Sequence, residues 1–126
     1  GGVMAEHKPP FDGRNATITV ANTSVNVLVV PNDKLFVAKR VNLANHSGLP
    51  TRVRMWDGFT DSDGTIHDAT QNPVLLLDEE LLDGESLELI SEEGIFKAIG
   101  TVIARSTQAG ADPNDVTAGA WGSFES

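Results

Sequence analysis

Apolar and polar positions alternate along most of this chain, and no segment sustains the 3.6-residue spacing of a helix over ten positions. Residues 16–21 read ATITVA and residues 24–30 read SVNVLVV, two runs rich in β-branched side chains. Residues 35–45, LFVAKRVNLAN, set Leu35, Val37, Val41 and Leu43 on one parity and Arg40 and Asn42 on the other. Lys39 interrupts that parity, so a bulge or an edge position is expected there. Residues 51–56 alternate cleanly, with Val53 and Met55 facing one way and Arg52, Arg54 and Trp56 the other. Residues 65–69 read as a short strand. Residues 74–77 form a continuous apolar run, as for a strand buried on both faces or lying over the core. Alternation returns at 86–90, 94–105 is strand-rich with a break at Gly100, and 116–124 closes the chain as a strand. Only DEELL, residues 78–82, offers a single helical turn.

Turn residues punctuate these runs: Pro31-Asn32-Asp33, His46-Ser47-Gly48, Asp83-Gly84, and the loop 108–114 with Gly110 and Pro113. Eight or more short strands divided by turn signals predict an all-β, antiparallel β-sandwich, jelly-roll-like. Its single domain is expected over residues 16–126. Residues 1–15 contain Pro9-Pro10 and Asp12-Gly13 and predict an extended N-terminal arm. Val3, Met4, Pro9, Pro10 and Phe11 on that arm are the candidate partner-binding residues. Gly1 and Gly2 are compatible with a processing scar or with the natural chain.

The length of 126 residues suits one domain with a true core. A net charge of -9 repels phosphate backbones and anionic lipid, and the nine basic residues form no run. Neither nucleic acid nor membrane is therefore an expected partner. The densest basic group is Arg52 with Arg54. With no cysteine, thiolate catalysis, disulfides and cysteine-ligated zinc fall away. No apolar run approaches the roughly 20 residues of a membrane-spanning helix. The first residues lack the apolar stretch of a signal peptide.

Candidate chemistry concentrates in WDGFTDSDGTIHD, residues 56–68. Asp57, Asp61 and Asp63 are oxygen donors of the type calcium takes. The EF-hand register fails, because aligning Asp61, Asp63 and Gly64 puts Phe59 and Thr70 where ligands are required. The competing expectation is that Asp57-Gly58 and Asp63-Gly64 are exposed turn residues. No cofactor is expected, and calcium is the one ion these residues bring into question. His7, His46 and His67 lack zinc spacing, and no G-x-S-x-G elbow is present, so no enzyme is expected. The carboxylate runs at 78–80 and 92–93 read as solvated edges rather than a glycosidase pair. Trp56 and Trp121 read as packing residues, with an aromatic platform as the alternative. Asn15, Asn22 and Asn45 match the glycosylation acceptor pattern, a short and common one.

The order of the segments carries more. NVLVVPNDKLFVAKRVNLANHSGLPTRVRMWDG, then LLDGESLEL, EEGIFKAIG and a closing strand ending in AWGSFE, resemble small all-β structural proteins of tailed bacteriophages. In that family a strand runs into "VP", "k…lvN" and "tVtlyd" strands follow, and "aGeslel" and "aGD-lka" hairpins precede the last strand. The resemblance spans about residues 25–124. Glu93-Gly94-Ile95 departs from the "GD" form. The resemblance implies a non-enzymatic virion protein: a capsid decoration (cement) protein on the capsid exterior that bridges subunits, or a neck or tail accessory protein. The implied partners are the major capsid protein or other virion proteins and further copies of itself, as a homotrimer. A calcium-dependent carbohydrate-binding module is the reading from a different class.

Overall fold

The computed structural model describes residues 12–126. Ten strands follow one another: β1 (Asp12–Ile18), β2 (Val25–Val29), β3 (Leu35–Asn45), β4 (Thr51–Thr60), β5 (Ile66–His67), β6 (Leu75–Leu81), β7 (Ser86–Ile90), β8 (Phe96–Ala98), β9 (Thr101–Ser106) and β10 (Val116–Glu125). No helix occurs among the described residues. All pairings are antiparallel. One five-stranded sheet runs β1-β10-β3-β7, with β8 also on β3. The other runs β2-β9-β4-β5, with β6 also on β4. The two pack as a β-sandwich.

Each sheet buries one face, which is why alternation dominates the sequence. Ile18, Phe36, Val41, Leu43, Val116, Ala118 and Ala120 line the core from the first sheet. Val53, Met55, Leu77, Leu81, Val102 and Ala104 line it from the second. Phe36 anchors an aromatic group, with its ring 6.3 Å from Phe96 and 5.4 Å from Phe124.

Lys39 is the bulge that its broken parity predicts. Trp121 pairs with Arg40 and Gly122 with Ala38, so Lys39 has no partner on β10. The extra residue flips the phase of β3. Phe36 and Ala38 point inward before it, and Val41 and Leu43 after it. The single parity expected for Leu35, Val37, Val41 and Leu43 is therefore corrected: Phe36 and Ala38, not Leu35 and Val37, share the core face with Val41.

Other expectations shift as well. Residues 12–15 were expected in the arm, but Asp12–Asn15 already pair with Gly119–Gly122 of β10. The prolines of this N-terminal segment end at Pro10, and from Asp12 to Ile18 every residue carries an amide N–H that can join a ladder. Gly13 belongs to that strand because of a neighbour: a Cβ there would strike the Trp121 ring, as would one at Gly119. Two glycines thus let an indole lie flat on the outer sheet face, where Arg40 covers it at 5.1 Å. Val3, Met4, Pro9, Pro10 and Phe11 lie outside the described residues. Of the two expectations for the run 74–77, burial on both faces is not met, since Leu75 is 52% exposed; the strand lies over the core, with Leu77 and Leu81 buried in it. Asp78–Leu81 of DEELL continue β6 as strand, with Asp78, Glu79 and Glu80 paired to Arg54, Val53 and Arg52. Three chances for cross-strand pairing outweigh one isolated helical turn, which lacks a cooperative nucleus.

Candidate functional site

The acidic stretch divides in two. Asp57 is not a turn residue: it lies inside β4 and is 4% exposed. Its carboxylate accepts the N–H of Ile99 at 2.9 Å and of Gly100 at 2.8 Å. Two backbone donors offset the cost of burying the charge. Gly100 is required for the approach, because a Cβ there would run into the Gly58 carbonyl and Phe59. Asp57 therefore locks the β8–β9 link against β4. The exposed Asp57-Gly58 turn expected from the sequence is thereby corrected.

Asp61 and Asp63 do occupy a turn. Asp61 accepts N–H groups of Asp63 at 3.2 Å and Thr65 at 3.1 Å, and Asp63 accepts the Thr65 N–H at 2.9 Å and hydroxyl at 2.7 Å. Gly64, at φ 89°, supplies the left-handed step that closes it. Asp68 closes a second turn on Thr70 and Gln71. Between them His67 Nε2 meets Asp61 Oδ2 at 3.0 Å, and His67 Nδ1 meets the Asn72 carbonyl at 2.8 Å. Its ring stacks on Phe59, with centroids 4.5 Å apart. Both ring nitrogens face acceptors, which favours the doubly protonated imidazolium.

The titrations follow this geometry. The Asp61 carboxylate first, and the Asn72 carbonyl second, raise the His67 pKa. Asp63 is held at about 2, first by the Asp61 carboxyl beside it and then by the Thr65 hydroxyl and N–H. Asp68 is lowered by the N–H and hydroxyl of Thr70 and the N–H of Gln71. Asp57, Asp61 and Asp63 do not stand together as one ligand group. Asp57 serves the backbone of residues 99–100, and among the described residues no three His, Cys, Asp or Glu side chains converge as a metal set. The loop spends its oxygens on its own turns.

The second site gathers the opposite charge. Arg52 and Arg54 project from the outer face of β4, and Arg105 of β9 pairs directly with Arg54. Asp78 of β6 bridges the first two, at 2.6 Å to Arg52 Nη1 and 3.2 Å to Arg54 Nε. Glu80 stands 3.8 Å from Arg52. The bridge to Arg52, ahead of that to Arg54, lowers the Asp78 pKa, and Asp78 in turn raises that of Arg52. Arg105 has no ion-pair partner among the described residues. Its guanidinium lies over the Trp56 ring at 5.8 Å, and its Nε is enclosed with no hydrogen-bond acceptor. Together with Asn22, Trp56, Ala69, Ser106 and Thr107, the three arginines line a cleft of about 160 Å³.

Trp56 is buried and Trp121 half-buried, so packing is the role the structure gives both. Asn45 is fully buried. Its amide donates to the Leu49, Leu81 and Leu82 carbonyls and its oxygen accepts from Ser47, so this acceptor pattern marks a corner of the sandwich, not an open glycan site. Arg105 is the residue that sequence reasoning left out. Alternation in RVRMW and in TVIARS does mark outward arginines, but the β4–β9 pairing that joins them is non-local. No protein-family model matches the chain, and no curated protein matches it.

Proposed function

We propose that this chain is a non-enzymatic virion structural protein, a capsid decoration (cement) protein that binds the capsid exterior and bridges subunits. The observation that carries this reading is where the phage-like phrases fall. NVLVVP is β2 and the turn after it, LLDGESLEL is the end of β6, the Gly84 turn and β7, and EEGIFKAIG is the Gly94 turn and β8. AWGSFE is the part of β10 that pairs with Leu35–Val41 of β3 across the bulge. The phrases therefore act as consecutive strand-and-turn units of one sandwich rather than as scattered matches. A rigid double sheet whose loop charges bind their own backbone suits a part that works by surface contact and assembly.

Each copy would add many modest contacts between capsid subunits and so resist the pressure of packaged DNA. A homotrimer on a three-fold or quasi-three-fold position is the assembly that closed symmetry favours. Mass spectrometry of purified phage particles from cells that carry the gene tests the assignment. The chain is expected in a fixed ratio to the major capsid protein, and its absence from intact particles overturns the proposal. Light scattering on the full chain is expected to give about three times the 13.4 kDa chain mass. A strict monomer at all concentrations would refute the trimer.

A further inference from the structure

We propose that the cleft between Arg105 and the Asp78-bridged arginines binds a carboxylate group. The inference stands independently of the virion assignment. The chain carries an excess of acid, yet three of its five arginines meet here. Arg54 and Arg105 face each other directly across β4 and β9, an arrangement in which like charges repel. Asp78 relieves Arg52 and Arg54 from the β6 side, and nothing among the described residues does the same for Arg105. Its Nε–H is enclosed and lacks an acceptor, and its half-exposed guanidinium makes no hydrogen bond or ion pair with the described residues, so the Nη groups are the donors open to an incoming oxygen. Trp56 lies against the guanidinium, with its ring centroid 5.8 Å from Arg105 Cζ. A planar fork held in this way matches the two oxygens of a carboxylate.

Size and charge narrow the ligand. At about 160 Å³ the cleft is well below the roughly 300–1,000 Å³ of ordinary small-molecule sites. It holds one functional group, such as the end of an aspartate or glutamate side chain. Asp78 stands in the same row, so a phosphate, which puts up to two charges on the one group in the cleft, meets more repulsion there than a carboxylate group with one. Asn22, Ser106 and Thr107 complete the wall with polar groups.

The test follows the Arg105 Nε–H resonance of the ¹⁵N-labelled full chain during titration with sodium glutarate, a capped triglutamate peptide, or inorganic phosphate. Sodium chloride at matched ionic strength controls for screening. A saturable shift of that resonance and of the Trp56 indole is expected with both carboxylate probes, with phosphate the weaker ligand. Arg105→Gln is expected to weaken carboxylate binding about tenfold, the size of one charge-assisted hydrogen bond. Arg105→Lys, which keeps the charge without the fork, is also expected to weaken it. Tighter binding of the peptide assigns the site to a protein segment, and tighter binding of glutarate to a free organic acid. Both orders support a carboxylate site. Chloride reproducing the shift, phosphate binding more tightly, or unchanged affinity in either folded variant would overturn the proposal.

Discussion

The loop 61–72 and the arginine cleft are both dense in charge, and they use it in opposite ways. In the loop, Asp61, Asp63 and Asp68 each accept hydrogen bonds from residues two to four positions ahead. His67 ties the two turns together through Asp61 and Asn72. The charge is absorbed locally. In the cleft, one carboxylate serves two guanidinium groups and the third is left to an aromatic face. The difference teaches that a cluster's density says little about binding, and that its unmet hydrogen-bonding capacity says more.

Asp57 lets that comparison be broken most severely. Asp57→Ala would leave the Ile99 and Gly100 N–H groups buried without acceptors, costing about 3 kcal/mol. Urea unfolding would read this as a lower midpoint. Asp63→Ala, in the self-contained loop, should move the midpoint far less. Equal effects would mean that the loop and the buried lock are not distinct. Gly100→Ala comes next, at about 2 kcal/mol, because its methyl group meets the Gly58 carbonyl and Phe59.

Asp78→Asn sharpens the cleft. It removes the shared carboxylate from two half-exposed pairs, so the stability loss should stay near 1 kcal/mol. Glutarate affinity should rise, because the arginines lose their internal anion. A fall in affinity would show that Asp78 positions the arginines rather than competing with the ligand.

The smallest effect is a pH dependence in the loop. His67 has a raised pKa in the folded chain, so its stabilising contribution is fully present below the unfolded value of 6.5 and fades as pH rises through the folded value. The melting-temperature gap between the protein and His67→Gln should therefore shrink from mildly acidic to alkaline pH. A gap that widens would contradict the imidazolium assignment.

Much of the fold was legible along the chain. The bounds of β3 follow from its apolar pattern, and Lys39 was marked as the bulge by its broken parity. What escaped was non-local. Asp-Gly at 57–58 carries a turn signature, and its true partners lie 42 and 43 residues away on the β8–β9 link. DEELL has helix-favouring residues, and the pairing with β4 overrides them. The turn chemistry of Asp61, Asp63 and Gly64 was readable because its hydrogen bonds close within four residues. The cleft was not, because Arg54 and Arg105 meet only through strand pairing.

In the proposed role, this sandwich works by adding contacts to a capsid shell. Phage particles that lack the chain, heated with increasing amounts of the purified full-length protein, test it most directly. The temperature of DNA release should rise and then level off at a fixed number of bound copies per capsid subunit. An unchanged release temperature, with no chain sedimenting with the particles, would contradict it.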